Sequence, residues 1–250
     1  MSHPVRTTVR TRVLAVDGER LSAYTVTPGK EIPGAYGVVV LHGAGNGDKE
    51  RCLPLAEDFA ARGHHALAFD FSGHGASTGR LAELSLRRRR EQAAAVIGEV
   101  FGARRPLVLV GFSMSGQTVA DLVASYGRRV AALALCAPGI YGRAAWDVPF
   151  GDGFTELIRR PASWRDSRAL EAYGRFAGRA LLVVPERDEV VPEEVTWLLR
   201  TALSARAGLA VLRLAGAGHA LGPWLSERPQ ARAQLIDSLL NGLQAPVRSS

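Results

Sequence analysis

Gly111-Phe112-Ser113-Met114-Ser115-Gly116 follows directly on the apolar run Leu107-Val108-Leu109-Val110. A strand that ends in a small residue, then x-Ser-x-small, then a helix-forming run is the layout of a nucleophile elbow. The chemistry dictates the spacing. A serine hydroxyl attacks poorly unless it is held exposed on a tight turn, beside a base and beside backbone N–H groups that can receive an oxyanion. The turn brings strand and helix so close that the residues two before and two after the serine must be small. Gly111 and Ser115 meet that demand, with a serine where a second glycine is usual. Taken alone, the same residues also fit a strand–turn–helix whose serine merely caps the helix.

Two further candidates follow in an order that suits acyl transfer. The apolar run Ala180-Leu181-Leu182-Val183-Val184 leads into Pro185-Glu186-Arg187-Asp188-Glu189-Val190-Val191-Pro192, and Leu209–Leu214 leads into Ala215-Gly216-Ala217-Gly218-His219. Serine, then acid, then histidine is the chain order of a triad on this type of sheet. Each residue falls in a loop just past the C-terminal end of an expected strand, where open α/β sheets place their ligand crevices.

The elements that would position these loops read as alternating strands and helices. Thr8–Thr27 alternates apolar and polar residues around Asp17-Gly18, a hairpin signal. Tyr36–Leu41 is a continuous apolar run, as expected for a strand covered on both faces. A helix near Pro54–Arg62, a strand at Ala66–Phe69, a helix near Leu84–Val100, the elbow strand, a helix to about Tyr126 and a strand at Val130–Cys136 follow. This rhythm indicates a doubly wound, mostly parallel sheet in a single domain over residues 1–250. One segment breaks it. Between Pro138 and Arg179 lie about forty residues where one crossover helix of a dozen would suffice. Seven of the chain's seventeen aromatics fall there: Tyr141, Trp146, Phe150, Phe154, Trp164, Tyr173 and Phe176. They serve either as filling between insert and sheet or as the apolar wall of a pocket above Ser113.

Composition narrows the function classes. At 250 residues and 47% hydrophobic, the chain can bury one large core. No apolar run approaches the roughly 20 residues that span a bilayer. Met1–Arg6 lacks the apolar region of a signal peptide, so a cytoplasmic location is expected. Cys52 and Cys136 read as reduced thiols rather than a disulfide framework. The net charge of +7 raises the question of nucleic acid, but the one dense run, Arg87-Arg88-Arg89-Arg90, is flanked by leucines and alanines. It reads as the solvated stretch of an amphipathic helix, and no aromatics stand beside it to stack bases. No nucleic-acid partner is expected.

His42-Gly43-Ala44-Gly45, Asp70-Phe71-Ser72-Gly73-His74-Gly75-Ala76-Ser77, the elbow, Asp188-Glu189-Val190-Val191-Pro192 and Gly218-His219 together resemble the α/β-hydrolase superfamily. The set is most similar to small serine esterases, monoglyceride lipases and serine-aminopeptidase-like hydrolases, and it spans Val13 to about Leu240. The resemblance implies that Ser113 is the nucleophile, His219 the general base and then acid, and Asp188 the carboxylate that orients it. It also implies that the backbone N–H groups of Met114 and Ala44 form an oxyanion hole.

Other residues compete for these roles. Glu186 and Glu189 flank Asp188, and Asp70 also ends a strand, although a carboxylate there can simply tie down its own glycine-rich loop. His42 and His74 read as loop-fixing hydrogen bonders, and His64 and His65 fall at the opposite edge of the sheet. No histidine has metal-ligand spacing with a partner, so no metal is expected, and the glycines after His42 lack the offsets of a nucleotide loop. No cofactor is implied.

The resulting expectation is a serine hydrolase that cleaves a carboxylic ester of small or medium acyl size through an acyl-enzyme. A thioesterase or acyltransferase would use the same three residues, as would a peptidase acting on short substrates. A non-catalytic hydrolase-like binding protein is the alternative of another class. The segment at about 141–178 is expected to form a minimal lid, with Trp146, Phe150 and Phe154 lining the substrate pocket.

Overall fold

The computed structural model describes residues 6–241 and 243, so residues 1–5 of the segment read above for a signal peptide lie outside it. Eight strands form one sheet in the order β1-β2-β4-β3-β5-β6-β7-β8. β1 (Thr7–Val16) and β2 (Glu19–Pro28) form the expected hairpin. Its two turn residues, Asp17 and Gly18, both take positive φ, 56° and 75°. That is the twist a two-residue hairpin turn demands. β2 also pairs antiparallel with β4 (His65–Phe69). Every other pairing, through β3 (Gly37–Leu41), β5 (Leu107–Phe112), β6 (Val130–Cys136), β7 (Arg179–Pro185) and β8 (Gly208–Leu214), is parallel.

The continuous apolar runs are continuous because both faces of the sheet are covered. Val39, Leu41, Leu107 and Leu109 point into a core shared with α2 (Leu86–Phe101), α3 (Ser115–Tyr126), α5 (Arg168–Arg175) and α6 (Glu193–Ser204). Their neighbours Val38, Val40, Val108 and Val110 point into a second core under α1 (Leu53–Ala61), α7 (Leu221–Ser226) and α8 (Pro229–Leu240). The two-residue period of a strand thus feeds both layers at once.

Strand order reverses around β3. The chain leaves β3 toward β4 on one side and returns to β5 on the other. Adjacent strands whose connections depart in opposite directions open a crevice at their C-terminal ends. The loops after β3 and β5 meet there, with those after β7 and β8 alongside.

Residues 137–178 join β6 to β7. α5, near the end of this connection, packs against α3 and α6 and serves as the crossover helix. Tyr173 and Phe176 are buried in the core beneath it. The remaining part, including the short helix α4 (Phe154–Ile158), carries a separate small cluster around Phe154 and Ala145 that includes Met114.

The arginine run is not the uniformly solvated stretch its composition suggests. Arg87 pairs with Glu91 and Asp147, Arg88 pairs with Asp17, and Arg90 donates to Ser125. Arg89 is not solvated at all. It has 0% exposure and lies among the buried residues of α2. Leu86, Arg89, Ala93 and Val96 follow one another at intervals of three and four residues, so the helical period itself turns Arg89 inward.

Candidate active site

Ser113 is the first residue after β5 and holds φ at +49°, a conformation that side chains other than glycine rarely take. Its backbone is fixed on three sides. The N–H donates to Cys136 O at 2.9 Å, and the carbonyl accepts from Gly116 and Gly139, both at 2.8 Å. The tight turn explains the glycines around it. A Cβ on Gly111 would stand 2.7 Å from Val119 Cγ2 and 2.8 Å from Ser115 O. One on Gly116 would stand 2.8 Å from Gly139 O.

The hydroxyl of Ser113 lies 2.9 Å from His219 Nε2. On the other side of the ring, His219 Nδ1 lies 2.9 Å and 3.1 Å from the two oxygens of Asp188. A carboxylate only accepts, so Nδ1 carries the proton and Nε2 is left to accept from the serine. Asp188 Oδ1 also accepts from the N–H groups of Val190 and Val191, at 3.0 Å and 2.9 Å. The loop after β7 therefore holds its carboxylate in place. Serine, histidine and acid are thus brought into one hydrogen-bonded chain from three separate loops.

Glu186, Asp70, His42, His74 and His64 are engaged elsewhere, whereas Glu189 borders a cavity that it shares with Ser113. Glu186 accepts from Gly216 N–H at 2.6 Å and ties the loops after β7 and β8 together. Asp70 is fully buried, accepts from Lys49 N and Nζ and from Ala76 N, and anchors its own glycine-rich loop. His42 Nε2 accepts from Phe71 N–H at 3.2 Å, and His74 Nδ1 lies 3.2 Å from Ser72 O. Burial, with the Arg89 charge adding to it, pushes both imidazoles below their ordinary range. His64, at the opposite end of the sheet, accepts from Tyr36 N–H. No group of three or more potential metal ligands occurs among the described residues.

The loop after β3 passes beside the elbow. A Cβ on Gly43 would stand 3.1 Å from Ser113 Cβ, so only glycine lets the two segments touch this closely. The next residue, Ala44, shares a cavity wall with Ser113 and Met114. Among the described residues, neither Ala44 N–H nor Met114 N–H donates to a protein acceptor. Ser115 carries a hydroxyl where glycine is usual, and it uses it. Its Oγ donates to His42 O at 2.6 Å, joining the two segments directly.

Two cavities meet at Ser113. The larger, of about 1050 Å³, is bordered by Met114, Tyr141, Phe150, Phe154, Ile158 and Trp164. The smaller, of about 360 Å³, contains His219 and is bordered by Asn46, Asp48, Arg51 and Pro223. Of the three aromatics expected in a pocket, Phe150 and Phe154 border the larger cavity. Trp146 does not; its indole N–H donates to Asp121 Oδ2 at 3.2 Å instead. Trp164 and Tyr141 take part in the wall, and no periodicity in the sequence singled them out.

A family model described as serine aminopeptidase, S33, matches residues 35–165. No curated protein sequence matches the chain at a significant level. Among solved structures, the thioesterase domain from the curacin biosynthetic pathway superposes with a TM-score of 0.69 at 15% identity, covering 92% of this chain and 100% of that one. A predicted CIB-like hydrolase from Thermoplasma acidophilum gives 0.66 at 18% identity, covering 93% and 98%. Est1E from Butyrivibrio proteoclasticus with bound ferulic acid also gives 0.66, at 17% identity, covering 91% and 98%. At these identities the structural likeness speaks for the α/β-hydrolase fold.

Proposed function

The chain belongs to the serine aminopeptidase, S33, family of α/β-hydrolases, and from that premise we infer that Ser113, His219 and Asp188 cleave a carboxylic ester through an acyl-enzyme. The unbroken hydrogen-bonded chain from Ser113 Oγ through the imidazole to Asp188 carries this reading. Oγ attacks the acyl carbonyl as His219 Nε2 takes its proton, and the carbonyl oxygen becomes an oxyanion facing the N–H groups of Ala44 and Met114. Collapse breaks the bond to the leaving alcohol, which receives the proton from Nε2. Water then enters by the same route and loses a proton to Nε2 as its oxygen bonds the acyl carbon; the acyl–Oγ bond breaks as Nε2 returns that proton to Ser113, which releases the acid. Asp188 holds the ring in its productive tautomer and stabilises the imidazolium.

The two cavities suggest how the substrate lies. A leaving group must reach Nε2 to be protonated, and His219 borders only the smaller of the two. The acyl part then takes the larger, mainly apolar cavity, and residues 139–159 along its wall act as a minimal lid on a single domain. A thioester donor fits the same geometry, since only the leaving atom changes, and so does a short peptide. A purely binding role would leave a strained, base-paired serine without a use.

Covalent labelling tests the reading. A fluorophosphonate should modify wild type and leave Ser113→Ala untouched, and a panel of nitrophenyl esters, acyl thioesters and aminoacyl anilides should rank the leaving groups. Equal labelling of both proteins would sink the assignment of Ser113.

A further inference from the structure

Among the described residues Arg89 is the largest side chain with no exposure, and it lies beneath the meeting point of the β3 and β5 loops. Its Nη2 donates to His42 O and to Ser115 Oγ, each at 2.8 Å. Ser115 Oγ donates its own proton to the same His42 carbonyl, closing a triangle. The guanidinium carbon sits 3.7 Å from the centroid of the Phe71 ring. Nε and Nη1 have no hydrogen-bond partner among the described residues, and none of the ion pairs there involves this side chain. Burial pushes the group down to about 9, which still leaves it charged at neutral pH.

An unpaired, half-satisfied guanidinium is a costly thing to bury, and a leucine or methionine would fill the same space at less cost. What it grips gives the reason. His42 lies two residues before Ala44, and Ser115 immediately follows Met114. These are the segments that carry the two proposed oxyanion donors, and they arrive from different strands. Backbone donors from separate loops stabilise a developing charge only if something sets their spacing to a few tenths of an ångström.

We propose that Arg89 is a positioning residue of the oxyanion hole. It braces the Ala44 and Met114 N–H groups against each other, and its unpaired positive charge favours the oxyanion from behind the backbone. The proposal rests on the reading of Ser113 as nucleophile. Positive charge in a dry interior acts over longer distances than at the surface, because little water screens it. The neighbouring rings add no competing cation, since burial holds His42 and His74 below their ordinary range. The hydrogen bonds of Arg89 run to the His42 carbonyl and to Ser115 Oγ, neither of which borders the acyl cavity, so it should act on the transition state more than on substrate binding.

The experiment compares wild type, Arg89→Met, Arg89→Lys and Ser115→Ala on one chromogenic ester. Active sites are counted by fluorophosphonate titration taken to completion, with Ser113→Ala as blank. In parallel, each protein is titrated with a trifluoromethyl ketone, to which a serine adds as an anionic tetrahedral adduct. Arg89→Met should lose about a hundredfold in kcat per titrated site, the size of effect expected when reacting groups are misplaced by about an ångström. Its KM should stay near that of wild type, and its ketone affinity should fall in step with kcat. Arg89→Lys, which keeps the charge, should recover part of both. Ser115→Ala should show the same pattern, weaker by about tenfold. Wild-type kcat per site in Arg89→Met, or a fall in kcat with ketone affinity unchanged, overturns the proposal. If Arg89→Met does not accumulate folded, Ser115→Ala decides alone, and unchanged kcat and ketone affinity there sink the brace. A wild type that neither turns over nor labels would instead defeat the reading of Ser113.

Discussion

Glu186 and Asp188 stand two residues apart after β7, yet they reach different ends of the β8 loop. Glu186 Oε2 takes the Gly216 N–H at 2.6 Å, while Asp188 takes His219 Nδ1 at 2.9 Å. One carboxylate holds the loop and the other holds the imidazole. Asp188→Asn should therefore keep the fold and lower kcat by roughly ten-thousandfold, because the ring loses its orienting acceptor. Glu186→Gln should keep most of the turnover and shift only the thermal midpoint. Steady-state kinetics on the two variants check this, and a reversed pattern would move the acid to Glu186.

Gly43 is the second point at which geometry makes a firm demand. The Cβ of an alanine there would stand 3.1 Å from Ser113 Cβ, closer than ordinary van der Waals contact. One segment must give way, and either movement shifts a proposed oxyanion donor relative to Ser113 Oγ. Gly43→Ala should lower kcat by about a hundredfold at most, with little change in KM. Full activity in a folded Gly43→Ala protein would mean the loop after β3 does not contact the reacting atoms.

Buried titratable groups set the acid response. Burial pushes His64 down to about 4, and it lowers His42 and His74 as well. In the unfolded chain a histidine takes its proton near 6.5, so with His64 the folded state binds fewer protons between about 4 and 6.5, and His42 and His74 act in the same sense. Stability from these groups is present above 6.5 and is lost as pH falls through that window. Asp121 works in the opposite sense. Burial pushes it up to about 6, so the folded state binds more protons between about 4 and 6 and this contribution fades as pH rises. Urea midpoints of wild type should fall between pH 7 and pH 5. Asp121→Asn removes the opposing contribution and should steepen that fall; parallel curves for the two proteins would show that Asp121 does not titrate there.

Much of this arrangement was legible in the sequence, because local pattern and tertiary role agree. The runs at 37–41 and 107–112 are apolar at every step since both faces are covered. The Asp17-Gly18 turn has the positive φ values its residues favour. Arg89 is the exception, because its charge reads more strongly than its spacing. Its helical phase with Leu86, Ala93 and Val96 placed it on the buried stripe, but a run of four arginines reads as solvated. The aromatics of residues 141–178 could not be sorted, because short helices and turns impose no repeating phase on them. Tyr173 and Phe176 fill the core, Phe150 and Phe154 border the cavity, and Trp146 reaches Asp121.

That division gives the last prediction its form. Phe150 and Phe154 lie with ring centroids 4.5 Å apart, and both border the cavity of about 1050 Å³ that opens on Ser113. Each acyl methylene buried there contributes about 0.8 kcal/mol, or nearly fourfold in kcat/KM, until the chain reaches the far wall. Wild type should therefore favour medium acyl chains over acetyl. Phe154→Ala should flatten the preference while leaving acetyl-ester turnover nearly unchanged, since on the proposed pose its ring meets the acyl chain and not the reacting carbonyl. Trp146→Phe removes a hydrogen bond to Asp121 outside the cavity, so it should lower stability and leave the chain-length profile alone. A nitrophenyl ester series from acetate to dodecanoate on the three proteins checks both outcomes. Equal loss on short and long esters in Phe154→Ala would make this segment a brace for the elbow, with Met114 as the side chain it supports.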